Sequence, residues 1–99
     1  MSKPIIDRAE VAIEFPDKFY HGSFGRGSRF DVKPESEGLV ITLDRQGDEK
    51  RHVEFHVHYY LLEDLISAIA DALEQDKAIP EQNLNGIKTA GAKLASLLD

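Results

Sequence analysis

Apolar and polar residues alternate through Arg51–His58, and the period then changes without a spacer. Val53, Phe55 and Val57 are interleaved with His52, Glu54, His56 and His58, the two-residue period of a strand with one buried face. Leu61, Leu62, Leu65, Ile66, Ile69, Ala72 and Leu73 then recur at helical spacing opposite Glu63, Asp64, Asp71 and Glu74. This predicts a core-facing helix over 61–76. No Ser, Thr, Asp or Asn precedes Leu61 as a cap, so the strand is expected to run almost directly into the helix. Glu63 and Asp64 in its first turn and Lys77 near its end would complement the helix dipole, and Pro80 drives the residue before it out of helical geometry.

Upstream, Ala9, Val11, Ile13 and Phe15 alternate with Arg8, Glu10, Ala12 and Glu14, and Pro16-Asp17 supplies a turn. A strand over 19–24 follows, weakened by Gly22 with Gly25 and Gly27 beyond it. Strands at 29–33 and 39–43 flank the turn cluster Pro34–Gly38, and a short polar connection from Asp44 to Glu49 makes the strand at 50–58 the hairpin partner of 39–43. Parity then places Leu39, Ile41 and Leu43 on the face of Val53, Phe55 and Val57, with Val40 and Thr42 beside His52, Glu54 and His56. Downstream, Leu84, Ile87, Gly91, Leu94 and Leu98 recur at spacings of three and four, predicting a second helix over about 80–98, with Asn83 or Asn85 as its cap.

These elements predict one α+β domain over 1–99: an antiparallel β-meander of four or five strands at 8–58, followed by two C-terminal α-helices packed on one face of the sheet. The covered face is expected to carry Val11, Ile13, Ile41, Phe55 and Val57, and residues 1–7 are expected to be flexible. The edges of such a sheet need protection, and dimerisation through Leu84, Ile87, Gly91, Leu94 and Leu98 or through an edge strand would supply it.

Length and composition agree with one core: 99 residues, 41% hydrophobic and 30% charged. The absence of cysteine removes disulfides and thiolate metal sites. No apolar run approaches membrane-spanning length, and a cytoplasmic location without membrane attachment is expected. The net charge of −6 opposes whole-molecule attraction to nucleic acid or anionic lipid.

Three local patterns carry candidate chemistry. Residues 18–33 mix aromatics and glycines with four Lys or Arg and one acid, so Phe19, Tyr20 and Phe24 could stack on unpaired bases while Arg26 and Arg29 contact phosphates. The order of strands then helix resembles half of a PUR-type repeat, which implies single-stranded nucleic-acid binding; the likeness is one of element order, with no shared motif and an additional second helix. His56 and His58 project to one face, as in a strand-borne metal pair, with His21 or Glu54 needed to complete it. Protonation of all four histidines would move the net charge from −6 to −2, a basis for a pH-linked sensor. No phosphate-loop spacing and no nucleophile-elbow pattern occur, so no cofactor and no catalytic residue is expected. The preferred expectation is a small non-enzymatic protein-binding or adaptor module, with nucleic-acid binding as the alternative.

Overall fold

The computed structural model describes residues 2–99. The elements are β1 (Lys3–Pro4), β2 (Ala9–Phe15), β3 (Lys18–Phe24), β4 (Ser28–Pro34), β5 (Gly38–Arg45), β6 (Arg51–His58), α1 (Tyr59–Gln75) and α2 (Glu81–Leu97). The class is α+β, with every strand pair antiparallel. The chain divides into two compact units, one ending at Glu63 and the other spanning Asp64–Asp99.

Among the described residues of the first unit the strands number six and form two sheets: four strands in the order β1-β4-β5-β6, and the β2–β3 hairpin. This differs from one meander of four or five strands. In a continuous meander β3 would lie beside β4, but that edge is taken near its start by Lys3 and Pro4, which pair with Phe30 and Arg29, and by Ile5, whose N–H donates to the Ser28 carbonyl at 2.9 Å. Proline lacks a donor and is tolerated on such an edge. Val11 and Ile13 therefore belong to a different sheet from Ile41, Phe55 and Val57.

The register across β5 and β6 follows parity: Leu39 faces Val57, Ile41 faces Phe55 and Leu43 faces Val53, while Val40, Thr42 and Asp44 face His56, Glu54 and His52. Strand β4 adds Phe30 and Val32 to the apolar face and Arg29, Asp31 and Lys33 to the polar one. At one end of the apolar face the cross-strand row is Ser28, Arg45 and Arg51. At the other end of the sheet Gly38 is buried against Val57 and His58. The β4–β5 turn beside it is held by Tyr59, whose N–H donates to the Glu37 carbonyl at 3.0 Å and whose hydroxyl donates to the Glu35 carbonyl at 2.8 Å.

Phe24 at the end of β3 is the one buried large hydrophobic side chain among the described residues, at 2% exposure. It joins Val11, Ile13, Tyr20 and Val53 around an apolar cleft of about 370 Å³ between the hairpin and β6. Arg51 fastens the two, its Nη1 donating to the Ser23 carbonyl at 2.7 Å. The residues following Phe24 turn at once: Ser28 N–H bonds to the Gly25 carbonyl at 3.0 Å, with Gly27 at φ +93°, a conformation that glycine adopts without steric cost.

The second unit is helical. Strand β6 passes into α1 at Tyr59 with no intervening residue. The helix thus starts two residues before Leu61, which shifts Glu63 and Asp64 out of the first turn, and it ends at Gln75, before Lys77. The expected dipole pairing is therefore not made. Helix α2 starts from Pro80 without a side-chain cap, and Asn83 and Asn85 lie inside it. Proline fixes the entry dihedral, and the Asn83 N–H bonds back to the Pro80 carbonyl at 2.9 Å, which removes the need for an asparagine cap. No residue of α1 or α2 is buried. Among the described residues no helix is long and apolar enough to cross a membrane.

Candidate functional site

Taken by itself, the helical unit has an apolar seam and no core. Leu84, Ile87, Gly91 and Leu94 lie on α2 and Leu98 caps its end; the four larger residues are 45–79% exposed. On α1, Leu65, Ile66 and Ile69 are exposed as well. A Cβ built at Gly91 would meet open space within the helical unit, at the point on the seam where a helix could come closest. The two helices differ in charge: α1 carries Glu63, Asp64, Asp71 and Glu74 and no base, whereas α2 carries Lys88 and Lys93 against Glu81. Like helices would repel along α1, and α1 beside α2 would attract.

The aromatic and basic stretch does not form one platform. In the β2–β3 register Tyr20 faces Ile13 and Phe19 faces Glu14, so the two rings lie on opposite faces of the ribbon. Tyr20 packs edge-on against Phe15 at 6.2 Å between ring centroids. Phe24 is buried and has no face to offer a base, although Phe19 and Tyr20 are exposed. Arg29 sits on the polar face of β4 and is occupied by Ser2, donating from Nε to its hydroxyl and from Nη2 to its carbonyl, both at 2.8 Å. Arg26 lies on the turn after Phe24, and its guanidinium has no hydrogen-bond or ion-pair partner among the described residues.

His56 and His58 do come together, with ring centroids 4.8 Å apart. His52 is held separately, its Nδ1 3.2 Å from Asp44 Oδ1. Val40 and Gly38 stand opposite the pair on β5 and offer no side-chain ligand, and Glu54 stands opposite Thr42. Among the described residues no group of three or more His, Cys, Asp or Glu is placed to hold a metal ion.

The Ser28–Arg45–Arg51 row was outside every candidate drawn from the sequence. The signal for it was present in the parity that paired 39–43 with 53–57, because continuing that register outward sets Arg45 opposite Arg51. No family model, no curated protein and no solved structure matches the chain.

Proposed function

We propose that the chain is a non-enzymatic protein-interaction module that works as a homodimer, with the helical unit as its interface. The observation that carries this is that no residue of either helix is buried while their apolar residues keep coiled-coil spacing over 84–98. Covering a half-exposed leucine or isoleucine contributes about 1 kcal/mol. Eight such residues of the helical unit, Leu65, Ile66, Ile69, Leu84, Ile87, Leu94, Leu97 and Leu98, therefore hold roughly 8 kcal/mol in reserve. That is on the order of the entire stability of a small domain. A second copy supplies the same seam, and its α1 supplies the acids that suit Lys88 and Lys93 on α2.

Sedimentation equilibrium tests this reading. The expected particle has twice the 11.1 kDa chain mass at micromolar concentration. Ile87→Glu with Leu94→Glu should return it to one chain mass. Lys88→Glu, which leaves the apolar seam intact, should weaken the dimer most at low salt. A parent particle of one chain mass at ~0.1 mM, above the range of specific dimers, with both helices formed, contradicts the proposal.

A further inference from the structure

We infer that the groove lined by Arg8, Arg26, Arg45 and Arg51 is a binding site for a phosphoryl group. The chain has five arginines, and four of them line this one groove of about 550 Å³, which contains two acids, Asp7 and Glu49. With Glu10 paired to Arg8 from beside the groove, four arginines stand against three acids, a local excess of one positive charge in a chain of net charge −6.

The partners of the four guanidinium groups show where the excess lies. Arg8 is 3.0 Å from Glu10, and Arg51 is 2.9 Å from Glu49 while also donating to the Ser23 carbonyl. Arg45 has only a 3.5 Å contact to the Arg26 carbonyl, and Arg26 has no side-chain partner among the described residues. Arg26 and Arg45, both lining the groove, therefore have no acidic partner among the described residues. The register adds an independent reason. Arg45 and Arg51 stand directly opposite each other on β5 and β6, and both are partly buried. Like charges at that spacing destabilise a sheet. Ser28, the third member of the row, is neutral, so the row itself contains no counter-charge.

An oxyanion placed between Arg26 and Arg45 removes both deficits. The planar guanidinium fork presents paired donors that match phosphate oxygens bidentately, and a phosphate monoester brings negative charge to the two arginines that have no acidic partner. The turn Gly25–Ser28, with Gly27 at φ +93°, holds Arg26 over the groove. The volume exceeds that of a phosphate alone, so the group can arrive on a small phosphorylated molecule or as part of a nucleic-acid backbone. The site lies wholly in the first unit and does not rest on dimerisation.

The test is an NMR titration of the full chain, following arginine Nε–H signals, with inorganic phosphate, adenosine monophosphate and an oligothymidylate in separate arms at constant ionic strength set with sodium chloride. Phosphate should give saturable shifts at Arg26, Arg45 and Arg51 with a midpoint of a few mM or below, roughly the affinity expected of one small charged group. Arg26→Gln, on an exposed turn, and Arg45→Gln should each raise the midpoint about tenfold. Arg29→Gln, outside the groove, should leave it unchanged. Oligothymidylate binding about tenfold tighter than the monophosphate identifies a nucleic-acid backbone as the source, and equal or weaker binding identifies a small phosphorylated ligand. Shifts that rise linearly to ~50 mM, a range in which only non-specific screening remains, overturn the inference. So do midpoints that Arg26→Gln and Arg45→Gln leave unchanged.

Discussion

Replacing Gly38 with alanine should break the corner where β5, β6 and α1 meet. A Cβ at this position would fall on the Val57 carbonyl oxygen, 2.8 Å from the Val57 carbonyl carbon and 2.7 Å from His58 Cα. Unstrained carbon–carbon contact needs about 3.5 Å or more, so β6 must withdraw by close to 1 Å. The atoms in the way are backbone, which has no rotamer with which to yield. Withdrawal pulls on the Gly38–His58 pair and on Tyr59, whose N–H and hydroxyl clasp the β4–β5 turn. Overpacking costs of about 1–3 kcal/mol, with about 1 kcal/mol for a weakened hydrogen bond, give a loss of ~2–4 kcal/mol. Against a total stability on the order of 5–15 kcal/mol, that lowers the midpoint of thermal unfolding by about 10–20 °C. Urea unfolding at one fixed protein concentration measures the global loss, and amide exchange at Tyr59 should speed up more than exchange at Val32. An unfolding free energy within about 0.5 kcal/mol of the parent, the range of an ordinary surface change, would refute this account of the corner.

Phe24→Ala removes the one large hydrophobic side chain buried among the described residues and should cost about 3 kcal/mol in urea unfolding, with Phe24→Leu recovering most of it; a loss below about 1 kcal/mol would show that the hairpin is held by other contacts. Asp44 is held below its ordinary carboxylate value by hydrogen bonds from Gln46 and His52, so its contribution is present above the unfolded value near ~3.9 and is lost as pH falls through the lower folded value. The stability gap between the parent and Asp44→Asn should therefore persist at pH ~5 and close below pH ~4; a gap unchanged on acidification contradicts it. Gly86 and Gly91 both have open space at the Cβ position, but Gly91 is on the seam and Gly86 is not. Gly86→Ala should stabilise by ~0.5–1 kcal/mol, whereas Gly91→Ala should weaken the dimer in sedimentation; equal gains from both would remove Gly91 from the interface.

Patterns whose period is local were legible in the sequence, and arrangements set by competition between distant segments were not. Val53, Phe55 and Val57 identified β6 and gave its register against Leu39, Ile41 and Leu43, because a one-residue slip would reverse both faces together. The lack of a spacer before Leu61 correctly implied a strand running into a helix. The separate β2–β3 sheet was not legible, because it depends on Lys3 and Pro4 occupying the edge of β4, and two residues have no period. The aromatic cluster over 19–24 dissolved for a reason available beforehand: adjacent residues on a strand point to opposite faces, so Phe19 and Tyr20 cannot share a platform. Asn83 looked like a cap because asparagine favours that role, but a helix entered through proline has its geometry set already.

The central claim, that each chain's helical seam is covered by a second copy, is tested most directly by isotope-filtered NMR on an equal mixture of labelled and unlabelled protein. The account predicts cross-peaks between chains from the methyl groups of Ile87 and Leu94 to those of Leu65, Ile66 and Ile69, lost on Ile87→Glu with Leu94→Glu. Cross-peaks from these methyls confined to one chain, in a particle of the single 11.1 kDa mass, would contradict it.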